Sequence, residues 1–125
     1  MTLRASAEDY LETILVVGRA RGSVRSIDIA AELGFSKPSV SVAMKKLRQS
    51  GNIIVDEDGF ITLTDQGQIA AEAVLERHAT LNAWLCGIGV PGDVAAADAC
   101  RLEHILSAET YAAIKRIAEE SAGVG

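Results

Sequence analysis

The sequence predicts a mainly α fold: an N-terminal winged helix-turn-helix with a small two-stranded wing, followed by an all-helical lobe. Three observations predict it. Segments with apolar residues at helical spacing are separated by glycines and by serine or threonine in capping positions. Two β-branched runs, Ile53-Ile54-Val55 and Phe60-Ile61-Thr62-Leu63, flank the polar turn Asp56-Glu57-Asp58-Gly59. Beyond Thr64 only helical periodicity remains. The 125 residues are 49% hydrophobic, enough for one core or for a small lobe with an accessory lobe. Aromatic residues are only 4%, so Ala, Val, Ile and Leu must build that core.

The elements follow in order. Ser6-Ala7-Glu8-Asp9 reads as an N-cap and its return acid, and Tyr10, Leu11, Ile14, Leu15 and Val17 carry a first helix to about Arg19. Gly22 breaks it. Ser26 is the expected cap of a short helix, Ile27–Leu33, with Gly34 in the left-handed stop position. Ser36 caps a third helix with Pro38 in its first turn, where a missing N–H does no harm; this helix stops at Gly51. Two helices joined by Gly34-Phe35-Ser36 make a helix-turn-helix, and the hairpin supplies the wing. Thr64 caps a long helix to about Leu85, with an apolar stripe of Ala70, Val74, His78, Leu81 and Leu85. A fifth helix is expected over about 93–106. A sixth starts at Ser107 and runs to about Glu120, leaving a frayed tail. The expected domains are 1–64 for the winged helix-turn-helix and 65–125 for the helical lobe.

Charge is uneven. The net charge is −5, from 12 basic and 17 acidic residues. Residues 1–58 are balanced, whereas residues 19–52 carry Arg19, Arg21, Arg25, Lys37, Lys45, Lys46 and Arg48 against only Asp28 and Glu32. A basic segment inside an acidic chain is a local footprint for phosphates that the average conceals. No apolar run approaches the ~20 residues that span a bilayer, so no membrane association is expected. Acids at Glu8 and Asp9 and the lack of an apolar stretch near the N-terminus argue against a secretory leader. Two cysteines, Cys86 and Cys100, cannot form a disulfide framework, and a reduced, cytoplasmic protein is expected.

Four groups of residues carry candidate chemistry. The start of the third helix, Ser36-Lys37-Pro38-Ser39-Val40-Ser41, offers small hydroxyls and a free helix N-terminus; Lys37, Lys45, Lys46 and Arg48 add positive charge with no acid in the helix. The alternative is a solvated basic face with an ordinary cap. Cys100, Glu103 and His104 stand at i, i+3 and i+4, which places a thiol, a carboxylate and an imidazole on one helical face; all are metal-ligand types. The alternative is a buried structural cysteine beside a surface Glu–His pair. Asp9 and Glu12, one turn apart, are either ligands or acids favoured by a helix N-terminus. His78 alone on an apolar stripe reads as a core histidine. The first, fourth and fifth helices must nevertheless pack around the junction of the lobes, and six ligand-type residues there are less easily dismissed than any one.

The sequence resembles the diphtheria-toxin-repressor family of metal-dependent transcription regulators, and most of all its short manganese-sensing branch. The resemblance runs from Ala7 to about Ile117. It rests on Glu8-Asp9-Tyr10-Leu11-Glu12-Thr13-Ile14, Ile27-Asp28-Ile29-Ala30, Lys37-Pro38-Ser39-Val40-Ser41, Leu63-Thr64 with Gly67, Glu76-Arg77-His78, and Cys100-Arg101-Leu102-Glu103-His104-Ile105-Leu106-Ser107. It implies a homodimer, formed through the C-terminal helices, that binds a roughly palindromic double-stranded operator when Mn2+ or Fe2+ is present, with Zn2+ and Co2+ as alternatives. It implies one metal site from Asp9, Cys100, Glu103 and His104 and a neighbouring site from Glu12 and His78. The basic third helix supplies the expected DNA-binding residues: Ser36, Lys37, Pro38, Ser39, Ser41 and Lys45. Two departures stand out. Cys100 replaces a glutamate that bridges the two metals of the manganese branch. Cysteine there is typical of the iron branch, which has Met in place of Asp9, ancillary ligands in place of Asn82 and Ala96, and a β-barrel domain beyond the point where this sequence ends.

A metal-activated repressor of metal-uptake genes is the reading this supports. Without metal, Asp9, Glu12 and Glu103 repel one another; a divalent cation neutralises them, ties the lobes and fixes the spacing of two recognition helices to half-sites ~34–36 Å apart. Leu102, Ile105, Leu106, Tyr111, Ile114 and Ile117 are expected at the dimer interface. The rival is a metal-independent winged-helix transcription regulator. An enzyme is disfavoured, since nothing in the sequence suggests a nucleophile or a substrate pocket.

Overall fold

The computed structural model describes residues 5–124, with side chains described over residues 7–120. Six helices and one hairpin follow in order: α1 (Ala5–Arg21), α2 (Ser26–Leu33), α3 (Lys37–Gln49), β1 (Ile53–Val55), β2 (Ile61–Leu63), α4 (Asp65–Gly87), α5 (Gly92–Ile105) and α6 (Ala108–Val124). By packing the chain forms two compact units, one running to Ala73 and one from Val74, so the division falls within α4.

In the first unit, Ser6 lies inside α1 rather than ahead of it. Tyr10, Leu11, Ile14, Leu15 and Val17 are buried, as the spacing requires. The helix packs on α2, α3 and β2. Leu11 and Ile29 of α2 are wholly buried, each worth about 2–3 kcal/mol of removed apolar surface. The cap of α2 is Arg25, not Ser26: the Asp28 carboxylate accepts from the Arg25 N–H at 2.9 Å. The return acid of a capping box thus works here without a hydroxyl at the cap.

Gly34 takes the left-handed conformation at φ 70°, and its N–H reaches the Ala30 carbonyl at 2.9 Å. A side chain there would be strained, so this glycine makes the tight turn into α3. Ser36 caps α3, accepting from the Ser39 N–H at 3.3 Å, with Pro38 in the first turn. Val40, Met44 and Leu47 fix α3 to the core.

The wing is antiparallel, with Ile53 opposite Leu63 and Val55 opposite Ile61. Its turn is closed by Asp56, whose Oδ1 accepts from the N–H groups of Asp58 and Phe60, both at 2.9 Å. The Ile61 N–H donates to the Val24 carbonyl at 2.8 Å, which ties β2 to the segment before α2. A polar knot joins the end of α3, the start of the wing and the start of α4. Asn52, 1% exposed, donates to Ser50 Oγ at 2.8 Å and accepts from Gln66 at 3.1 Å. Thr64 caps α4, accepting from the Gly67 N–H at 3.1 Å while donating to the Gly51 carbonyl at 2.7 Å.

In the second unit, Leu81, Leu85, Ala95 and Ala99 form the core, and Trp84, Val90, Leu102, Leu106 and Ile114 pack against it. Three of the six residues expected to meet a partner, Leu102, Leu106 and Ile114, thus pack in part against their own unit. All three stay partly buried, and Ala95 and Ala99 on α5 are buried beside Leu81 and Leu85 of α4. Ile105 and Ile117 remain 75% and 50% exposed. Ser107 caps α6, accepting from the Thr110 N–H at 3.1 Å. The helix runs on to Val124, past the expected stop near Glu120. No helix among the described residues is long and apolar enough to cross a membrane.

Candidate metal centre and nucleic-acid interface

Four of the six expected ligands fall together in the second unit. His78 comes from α4, and Cys100, Glu103 and His104 come from successive turns of α5. Glu103 is 1% exposed. Its Oε2 lies 3.1 Å from His78 Nδ1, and its Oε1 lies 3.3 Å from His104 Nε2. His104 is nearly buried and His78 is partly open. Cys100 is exposed, which sets aside the reading of it as a buried structural cysteine. Ligand atoms of Cys100, Glu103 and His104 nevertheless lie within 4.8 Å of one another.

A carboxylate at that depth costs several kcal/mol of lost hydration unless positive charge meets it. A divalent cation held in common by the carboxylate and the ring nitrogens would supply that charge. An oxygen, nitrogen and sulfur donor set within one turn of helix matches a divalent transition metal, so the residues present fit such an ion.

A neighbour missed by sequence reasoning completes this corner. Arg77, beside His78 on α4, donates from Nη1 to the main-chain carbonyls of Glu103 at 3.3 Å and Leu106 at 3.2 Å. Its guanidinium stacks 4.7 Å from the centre of the Tyr111 ring, and the Tyr111 hydroxyl donates to Thr80 Oγ1 at 3.3 Å. Its only signal in the sequence was its place between Glu76 and His78. On the outer face of the same helix Glu76 pairs with Lys115 of α6. This bond raises the Lys115 ammonium above its ordinary value.

Asp9 and Glu12 lie in the first unit, one turn apart on α1 and half-buried. The Asp9 carbonyl accepts from the buried Thr13 hydroxyl at 2.8 Å.

The exposed face of α3 presents Ser36, Lys37, Pro38, Ser39, Ser41 and Lys45, together with Lys46 and Arg48. No acid lies on this helix. Ser36 and Ser39 share a 2.9 Å hydroxyl–hydroxyl bond, which sets the first turn. Val42, absent from the expected set, is 56% exposed on the same helix. Arg25 also matters at the wing. Its guanidinium bonds the Asp58 carbonyl and stacks 4.8 Å from the Phe60 ring centre, which fixes the wing against the start of α2. The wing tip remains acidic and exposed at Asp56, Glu57 and Asp58, a poor surface for phosphates.

Comparison with known proteins matches the two parts of the chain separately. Residues 2–59 match the iron-dependent repressor N-terminal DNA-binding domain, and residues 64–121 match the iron-dependent repressor metal-binding and dimerisation domain. The transcriptional regulator MntR of Escherichia coli is 35% identical over 112 residues, covering 90% of this chain and 72% of that protein. A helix-turn-helix-type transcriptional regulator of Methanocaldococcus jannaschii is 32% identical over 117 residues, covering 92% and 94%. Among solved structures, a manganese-dependent transcriptional repressor in complex with manganese is 30% identical with a TM-score of 0.81, covering 90% of this chain and 52% of that one. The chain thus spans about half the length of that solved structure.

Proposed function

Because the chain belongs to the iron-dependent repressor family, which its two parts match over residues 2–59 and 64–121, we propose that it represses metal-uptake genes by binding operator DNA as a homodimer when divalent metal is bound. It is a metal-dependent, DNA-binding transcriptional regulator and not an enzyme. Residues 1–64 bind DNA, and residues 65–125 bind metal and dimerise. It works in the cytoplasm, where its DNA lies.

The observation that carries this reading is the buried Glu103 carboxylate between His78 and His104, with Cys100 one turn away. Cys100, Glu103 and His104 hold one ion together with Asp9; His78 and Glu12 serve a neighbouring position. The native ion is Mn2+ or Fe2+, and Zn2+ and Co2+ also fit the donors. When bound, the ion supplies the positive charge that lets Asp9, Glu12 and Glu103 lie close together.

The residues do the rest. The Glu103 carboxylate faces His78 Nδ1 at 3.1 Å and His104 Nε2 at 3.3 Å, so carboxylate and ring nitrogens are turned toward one another, as donors that would hold one ion are. Asp9 and Glu12 couple α1, and through it α2 and α3, to the charge state of the centre. On α3, Lys37 and Lys45 contact phosphates, Ser36 with Pro38 seats the helix N-terminus, and Ser39 and Ser41 face base edges. A coupling on the order of 1–3 kcal/mol per site is enough to switch occupancy.

The test is DNA binding by chelator-stripped protein, with and without added Mn2+ or Co2+, on double-stranded DNA selected by this protein from a random pool. Binding is expected only with metal. Equal affinity without metal overturns the metal reading and favours a metal-independent winged-helix regulator.

A further inference from the structure

We propose that Arg77 is a positioning residue for the metal centre. By tying the main-chain carbonyls of Glu103 and Leu106 to α4, it holds the Glu103 carboxylate level with His78. The inference rests on the metal reading above and adds a residue that touches no ligand atom.

The last carbonyls of a helix have no N–H four residues ahead to satisfy them. Glu103 and Leu106 stand at the end of α5, and both of their carbonyls accept from Arg77 Nη1, at 3.3 and 3.2 Å. The guanidinium also meets the negative end of the α5 dipole, where a cation is favoured. Stacking on Tyr111 of α6 fixes its plane, and Tyr111 is itself tied back to Thr80 of α4. The residue so held is Glu103, whose side chain reaches both imidazoles.

The geometry explains why the position suits arginine. His78 follows Arg77 directly on α4, so one turn of helix carries both a ligand and the anchor that sets the height of another ligand. If the end of α5 slips by 1 Å, Oε2 moves out of reach of Nδ1. A lysine keeps the charge but offers a point donor that cannot lie flat on Tyr111 while bonding two carbonyls.

The experiment is Co2+ titration of the full chain, read by the visible absorption of the bound ion, in wild type, R77Q, R77K and K115A. The last variant breaks the Glu76–Lys115 pair, which joins the same two helices, α4 and α6, on their outer face. Outer-shell partners of ligands are typically worth about 10–100-fold in metal affinity. R77Q is therefore expected to weaken Co2+ by about that factor and to alter the absorption bands. R77K should fall between R77Q and wild type, and K115A should match wild type in both readouts.

If R77Q does not fold, R77K carries the test: weaker binding with altered bands supports the proposal, and a wild-type titration overturns it. Wild-type affinity and bands in a folded R77Q also overturn it. So does an equal loss in K115A, which would make the effect general loosening of α4 against α6. A wild-type chain that takes up no Co2+ overturns the metal reading, and this inference with it.

Discussion

Replacing Gly67 by alanine tests how tightly the wing is bound to its neighbours. Gly67 sits in the first turn of α4, and a Cβ built there would lie 1.9 Å from the main-chain oxygen of Asn52 and 2.9 Å from its carbonyl carbon. Real Cβ atoms essentially never come within 3.0 Å of such atoms, so the Asn52 carbonyl must retreat by about 1 Å. Two effects compete. Alanine in place of glycine favours a helix by about 1 kcal/mol. Against it, overpacking costs about 1–3 kcal/mol. The retreating oxygen also weakens its bond from the Thr64 N–H, now 3.1 Å, worth about 1 kcal/mol. Asn52 cannot move alone, because its side chain is locked by Ser50 and Gln66. The net is a loss of about 2 kcal/mol, or roughly 8 °C of melting temperature for a chain of this size. Thermal unfolding followed by circular dichroism measures it. Co2+ uptake should persist below the transition, while DNA affinity falls because the wing shifts against α3. A G67A protein that melts at or above the wild-type temperature refutes the reasoning.

Other outcomes follow from the same structure. Cys100→Glu exchanges a soft donor for a hard one, so calorimetric titration should show preference moving from Co2+ toward Mn2+; an unchanged preference would mean that Cys100 is no ligand. Lys37→Ala and Lys45→Ala should each weaken DNA binding across sequences and shallow its salt dependence by about one unit. Unchanged slopes in both would mean that α3 does not face DNA. Burial raises the Tyr10 phenol above its ordinary value, so the unfolded chain loses that proton first. Its contribution is complete below about pH 10 and is lost as pH rises through the raised value. Urea unfolding of wild type should therefore weaken more steeply above pH 10 than that of Y10F, and parallel curves would count against it.

Local chemistry made much of the fold legible. The Ser36 cap, Pro38 in the first turn, Gly34 in the left-handed region and the Asp56–Gly59 turn each act within a few residues, so their signals lie next to one another in the chain. Where two local signals competed, geometry decided. Ser26 looked like a cap, but Asp28 reaches the Arg25 N–H instead. The i, i+3, i+4 spacing revealed Cys100, Glu103 and His104, because one helix carries all three. Features that depend on distant partners left no such trace. The bonds of Arg77 span 26 and 29 residues, and nothing periodic in the sequence announces them. Leu102, Leu106 and Ile114 read as candidates for a partner because the second unit looked thin; each is partly buried against Leu81, Leu85, Ala95 and Ala99, a contact that needs α4 and α5 together and that no local spacing announces.

The acidic wing tip has a consequence apart from DNA. β1 is an edge strand: among the described residues its ladder runs on one side only, to β2, and Ile54 is 59% exposed on it. An open edge of β-branched residues is a template for strands from other molecules, which is how ordered aggregates begin. Here the edge is three residues long and runs straight into Asp56, Glu57 and Asp58. A second copy adding to that edge in parallel register, as stacked identical strands do, would bring two such clusters together across a spacing of about 5 Å, where like charges repel strongly. The same carboxylates that make the tip a poor phosphate ligand therefore act as gatekeepers of solubility, and trading them for lysines to strengthen a DNA contact would strip that protection from the strand beside them.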